Sequence, residues 1–178
     1  MISFRKIRDA DLKRVLDWRT SEDVTRYMFT DVKYDLEKQK GWFERISGDP
    51  GRRYWIVCKG ETPFGVVNLT EIDAHNGRCT WGYYIGEPEF RILGGIVPAY
   101  VYNHVFNDLG FNKVMGMVLD GNENIMKIHE AYGCRKIGVL EKHIRKYGAF
   151  HDVHLYELLK EVWEETGRRY ANRTASFE

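Results

Sequence analysis

The chain has no run of roughly 18 apolar residues, which excludes a membrane-spanning helix. Its first residues, Met1-Ile2-Ser3-Phe4-Arg5-Lys6, lack the apolar core of a secretory signal, so a cytoplasmic location is expected. Cysteine is scarce. Cys58, Cys79 and Cys134 are odd in number and far apart, which suits reduced thiols and excludes a disulfide frame or a zinc site. Excess charge of one sign is missing as well: 27 basic residues face 26 acidic ones, leaving net charge +1 and no basic field for nucleic acid. Internal repeats, linkers and low-complexity stretches are absent. What remains is one domain of 178 residues, with 43% apolar and 30% charged residues, enough to build a core and a solvated surface.

Aromatic residues are plentiful, 14% of the chain, and some of these rings can line a ligand groove. Alternation and turn signals give a first strand at Ile2–Ile7. Asp9 then caps a helix from Ala10 to Trp18, with Leu12, Val15 and Leu16 on one face. A short helical piece, Glu22–Tyr27, leads into the loop Met28-Phe29-Thr30-Asp31. Asp35 starts a second helix that turns Trp42, Phe43 and Ile46 inward. Strands follow near Tyr54–Cys58, Phe64–Ile72 and Arg78–Ile85, the last two joined by a hairpin turn at Asn76-Gly77. A helix over Val97–Leu109, a strand at Lys113–Leu119, a helix opened by Asn122, and two strands joined at Lys146-Tyr147-Gly148 complete the domain at about residue 160. Residues 161–178 read as a polar extension, partly helical and partly disordered.

Two segments carry chemistry. Glu89-Phe90-Arg91-Ile92-Leu93-Gly94-Gly95 lies between a strand and a helix. Paired glycines there let backbone N–H groups approach a pyrophosphate, the helix start adds donors, and Arg91 adds a charged contact. Further on, Asn122 to Cys134 reads as a helix ended by Gly133 and followed by a strand. Together they resemble the acetyl-CoA site of the GNAT acetyltransferase superfamily. Its pattern is Arg/Gln-x-x-Gly-x-Gly/Ala at one helix start and Asn-x-x-Ala/Ser-x-x-x-Tyr-Glu-x-x-Gly-Phe at the next. Arg91, Gly94, Asn122, Glu130 and Gly133 match; Ile96, Ile125, His129 and Cys134 depart from it. Within the superfamily, Trp18-Arg19, Tyr27 to Asp31, Gly41-Trp42-Phe43 and His151 to Tyr156 are similar to the N-acetyltransferases of pseudaminic acid biosynthesis.

The resemblance implies an α/β (α+β) fold over residues 1–160, with a mixed sheet of about seven strands splayed between strands 4 and 5 and about four flanking helices. It implies that pantetheine lies in the splay against Tyr84, Ile85 and Gly86, with its pyrophosphate on Arg91, Gly94, Gly95 and Ile96. Asn122 would contact pantetheine or cap its helix, and Lys127 would reach a CoA phosphate or simply be solvated. His129 stands where relatives carry the Tyr that protonates the departing thiolate; an ordinary imidazole, with pKa near about 6.5, suits that task. Glu71 and Asp73, on one strand face by alternation, are candidates for the base; paired carboxylates raise one another's pKa. Met28, Phe29, Thr30, Trp81 and Tyr83 would form the acceptor wall.

The expected function is thus acetyl-CoA-dependent N-acetylation of a small-molecule amine without a metal, most closely the 4-amino group of a UDP-linked amino-dideoxysugar. A ribosomal-protein N-terminal or polyamine-type acetyltransferase is the competing enzyme, and a non-catalytic acetyl-CoA-binding module is the competing class. A homodimer is left open.

Overall fold

Seven strands run β1 (Ile2–Lys6), β2 (Arg53–Lys59), β3 (Thr62–Asp73), β4 (Arg78–Ile85), β5 (Lys113–Leu119), β6 (Arg135–Lys146) and β7 (Ala149–Leu159) in the computed structural model, which describes residues 1–178. They form one sheet in the order β1-β2-β3-β4-β5-β7-β6. Every neighbouring pair is antiparallel except β4 and β5, which run parallel. The six helices are α1 (Leu12–Thr20), α2 (Glu22–Thr25), α3 (Leu36–Ser47), α4 (Val97–Asn103), α5 (Glu123–Ala131) and α6 (Lys160–Thr166).

Period-2 alternation decides which side chains meet which helix. Along β2 and β3, Val57, Val67 and Leu69 join the larger core with α4, whose seven residues are all buried. Ile56, Cys58 and Val66 point the other way and pack under α1 with Leu12, Val15 and Trp18, while Trp42 and Phe43 of α3 lean on the same cluster. The sheet is therefore covered on both faces, as parallel β4 and β5 require.

Three expectations are corrected at element ends. Asp9 does not cap α1. A 3-10 turn occupies Asp9–Asp11, and the buried Asp11 carboxylate accepts from Arg8 N–H at 2.9 Å and from both Arg5 guanidinium nitrogens. Arg5 stands on β1, so this contact ties the turn to the edge of the sheet. Asn122 does not cap α5 with its side chain. Its carbonyl accepts from Ile125 and Met126 instead. The 161–178 stretch is partly helical as expected, but its end packs on the domain and is not a disordered tail. Trp163 of α6 is buried in the main core, and Phe177 stacks on Phe4 with centroids 4.0 Å apart and on His104 at the same separation. By contrast Asp35 caps α3 as expected, accepting from Glu37 and Lys38 N–H at 3.1 Å.

Candidate active site

The parallel ladder between β4 and β5 runs from Arg78–Lys113 only to Trp81–Gly116, and then the strands part. A side chain sits where they part. The imidazole of His129, from α5, lies directly on Gly116, where even a Cβ would come within 2.6 Å of Cε1. Past the fork, the β5-facing edge of β4 from Gly82 to Ile85 has no partner strand, while its other edge stays paired with β3. Such an edge can take an extended amide-bearing ligand as if it were a strand. A cavity of about 880 Å³ opens at the fork. It brings together Met28, Phe29, Thr30, Glu71, Trp81, Tyr83, Tyr84, Asn122 and His129 from the residues singled out in the sequence. The Tyr83 hydroxyl is sealed from solvent there without a protein partner. Buried polar groups rarely stay unpaired, so this donor fits a bound ligand.

His129 is 5% exposed. Its ring stacks on Tyr156 at 5.1 Å, meets Trp81 edge-on at 5.7 Å, and places Nδ1 3.3 Å from the Tyr102 hydroxyl. Burial among these rings pushes its pKa down to about 4. The expectation of an ordinary imidazole is thus corrected: at neutral pH this ring is uncharged, able to donate one N–H hydrogen bond but holding no second proton to give.

Glu71 reaches the cavity through a break in the strand. β3 slips register between Thr70 and Asp73, and Glu71 sits at φ 49°, a conformation L residues avoid. The bulge aims its carboxylate at Thr80, whose hydroxyl donates at 2.6 Å. It also destroys the expected pairing with Asp73. That carboxylate turns away to Asn76 and Arg78, whose hydrogen bonds hold its pKa down at about 2.

Several wall residues escaped the sequence reading. Arg19 of α1 is the most informative. One guanidinium nitrogen donates to the Thr30 carbonyl and hydroxyl at 2.8 and 2.9 Å, fixing the Met28–Thr30 loop, while the other, Nη1, is buried with no partner. Burial lowers its pKa, yet a guanidinium keeps its charge. Lys38, Gln39, Trp42 and Arg45 of α3 and Tyr54 of β2 continue the wall. The i, i+1, i+4, i+7 spacing from Lys38 could have flagged this face, but it reads equally as a half-solvated helix. Asp31, in the same loop, is bound by the buried Lys146 at the end of β6.

The glycine loop lies beside this cavity. Residues Pro88–Ile96 form 3-10 turns that run into α4. Gly94 is buried against Ile85 and Tyr83, and a Cβ there would sit 3.2 Å from Ile85 Cγ1; Gly95 faces open space. The Gly95 carbonyl accepts from Tyr132 at 2.7 Å, tying the loop to the end of α5. Gly86, at the end of β4, is bound through its N–H to Phe64, and Ile96 is half-buried against the core. Arg91 is paired with Asp23 of α2 and Lys127 is exposed, so neither side chain points into the cavity.

A splayed mixed sheet with a glycine loop and a central cavity defines an acyl-transfer fold, and comparison with known proteins gives the family. Residues 2–135 match the family described as Acetyltransferase (GNAT) domain, and the chain belongs to it. It is an acetyl-CoA-dependent N-acetyltransferase. Among relatives, Acetyltransferase PseH of Campylobacter jejuni subsp. jejuni serotype O:23/36 (strain 81-176) is 22% identical over 129 residues, covering 72% of this chain and 79% of that protein. A putative ribosomal N-acetyltransferase, YdaF of Bacillus subtilis (strain 168), is 30% identical over 102 residues, 56% of this chain and 55% of its own. In structure the chain is similar to spermidine N-acetyltransferase from Vibrio cholerae, solved with CoA and spermine. The TM-score is 0.84 at 18% identity, over 92% of this chain and 98% of that one. At that identity the likeness concerns the fold.

Proposed function

We propose that this acetyltransferase acylates the 4-amino group of a UDP-linked amino-dideoxysugar, by direct transfer with both substrates bound. The observation that carries this reading is the unpaired, buried Nη1 of Arg19 in the acceptor wall. A guanidinium half without a partner calls for an oxygen-bearing, anionic or carbonyl-rich ligand and repels a polycation. The acids of the wall support the same choice. Asp31 is neutralised by Lys146, and Asp35 is engaged in capping α3, with Lys38 3.7 Å away. Only Glu71 is left to meet an ammonium group, which suits a substrate with one amine and not a polyamine with several. Phe29, Trp42 and Tyr54 offer faces for a uracil ring or a sugar methyl group.

In this reading Glu71, fixed by Thr80, receives the amine as its ammonium form and takes its proton, directly or through water, so that nitrogen can attack. Trp81 and Tyr83 hold the reacting groups together. The Gly86 N–H is already given to Phe64, so the Ile85 N–H, on the unpaired edge of β4, binds pantetheine and steadies the developing oxyanion. Asn122 contacts the pantetheine arm, and Gly94, Gly95 and Ile96 carry the pyrophosphate. His129 Nε2–H donates to the departing sulfur. The test is steady-state kinetics with a UDP-4-amino-dideoxysugar, spermidine and peptides beginning with Ser or Ala. The sugar should be the best acceptor by at least about tenfold. Arg19→Met should raise its KM on the order of tenfold, the loss of one charge-assisted contact, with KM for acetyl-CoA unchanged. Preference for spermidine or a peptide overturns the acceptor assignment.

A further inference from the structure

Two departures from the family motif, a histidine for the usual tyrosine at 129 and a cysteine for the usual phenylalanine at 134, prove to be joined. The Tyr102 hydroxyl, from α4, lies 3.3 Å from His129 Nδ1 and 3.3 Å from Cys134 Sγ. Tyr102 is fully buried, its ring held edge-on by Trp81, Tyr132 and Trp163, so the hydroxyl has nowhere else to turn.

We propose that Tyr102 is a positioning residue for His129: its O–H donates to Nδ1, fixes the imidazole in the Nε2–H tautomer, and so presents an N–H to the cavity at the fork of β4 and β5. The order of the chain follows from acceptor strength. Two arrangements are possible on these three atoms. Either the thiol donates to the phenol and the phenol to Nδ1, or Nδ1–H donates to the phenol and the phenol to sulfur. An imidazole nitrogen is a far better acceptor than a neutral thiol, so the first arrangement holds. Burial keeps the thiol and phenol protons in place at neutral pH: the Cys134 thiol is pushed up to about 11 and the Tyr102 phenol well above its usual value. The free edge of the ring is the one that matters. Nε2 lies over Gly116, has no protein partner, and is not among the unpaired atoms sealed from solvent, so it opens to the cavity.

The tautomer bears on the reaction in one way. The amine nitrogen forms its bond to the thioester carbonyl carbon, the carbon–sulfur bond breaks, and sulfur leaves with the electron pair. The nitrogen's displaced proton passes to the base or water, and sulfur ends protonated from the same pool. As charge builds on sulfur, an Nε2–H stabilises it, whereas a bare Nε2 lone pair would repel it. The proposal rests on the reading above that His129 faces that sulfur, so its two halves need separate readouts.

The first readout is the tautomer of His129 in the ligand-free protein, taken from two-bond nitrogen–proton NMR of ¹⁵N-histidine-labelled samples. The wild type should show Nε2–H, Cys134→Val should keep it by removing the alternative acceptor, and the isosteric Tyr102→Phe should give a mixture. Nδ1–H in the wild type overturns the proposal, as does an unchanged tautomer in Tyr102→Phe. The second readout is turnover with the best acceptor found. Tyr102→Phe should lose on the order of tenfold in kcat with KM for acetyl-CoA unchanged, since only a hydrogen bond made late in the reaction is disturbed. A rate equal to wild type, in the presence of a clear His129→Phe defect, overturns the positioning role alone. Full turnover of His129→Phe overturns the role of His129 and takes the positioning role with it.

Discussion

At the scale of single residues, burial decides what each group can do. His129 is stacked between Tyr156 and Gly116 and titrates near 4, whereas in the unfolded chain it titrates near 6.5. Between these values the unfolded state binds the extra proton, so stability rises with pH across the window. It is complete above about 6.5 and is lost as pH falls toward 4. The shift corresponds to about 3 kcal/mol. Thermal melts of the wild type should therefore drop between pH 7 and pH 4.5, and His129→Phe should flatten that part of the curve; parallel curves would refute the assignment. None of this is legible in the sequence, where His129 is one helix residue between Ile128 and Glu130. Its environment comes from Trp81, Tyr102 and Tyr156, each on a different element. Arg19 escaped for the same reason, because its partner Thr30 and its place in the wall are set by the fold.

At the scale of elements, the regular parts are the ones the sequence announces. Alternation marks β2 to β5, Asn76-Gly77 marks the hairpin with Gly77 at φ 60°, and Gly133 at φ 91° ends α5. These signals are local, so they survive without tertiary context. The irregular parts carry the site and are harder to read. The bulge that swings Glu71 inward has no glycine to betray it, and simple alternation wrongly put Asp73 beside it. Gly116 is likewise silent, an isolated glycine in a strand. It makes room for the imidazole at the fork, which yields a sharp expectation. In Gly116→Ala the new Cβ would lie 2.6 Å from His129 Cε1, so the ring or the strand must shift. Denaturant unfolding should show a loss of about 1–3 kcal/mol, the usual cost of overpacking. Turnover should fall further than stability alone explains, since the misplaced ring is the one that the proposed reaction sets against the departing sulfur. A variant as active and as stable as wild type would show that the fork does not depend on this contact.

At the scale of the whole molecule, the two ends of the chain close the sheet edge opposite the β6–β7 hairpin. Phe177 forms a parallel bridge with Phe4, its ring lies between Phe4 and His104, and it meets Trp55 edge-on at 5.2 Å. The Glu178 backbone carbonyl accepts from Trp55 Nε1 at 2.8 Å. Charge composition conceals this closure, because Lys160 to Glu178 is polar overall and a few scattered apolar residues, Val162, Trp163, Tyr170, Ala175 and Phe177, anchor it. The anchor is also remote from the chemistry, since Phe4, Trp55, His104 and Phe177 are all absent from the cavity wall. Removing one ring there should therefore separate stability from function. Phe177→Ala strips the stack from two aromatic partners and should cost about 2 kcal/mol, less than for a fully buried ring because this one is only half-buried. Calorimetric affinity for acetyl-CoA should stay at the wild-type value at temperatures where the variant is folded. A fall in affinity without a fall in melting temperature would mean that the closed edge of the sheet is coupled to the fork, with β1 to β3 transmitting the change across the molecule.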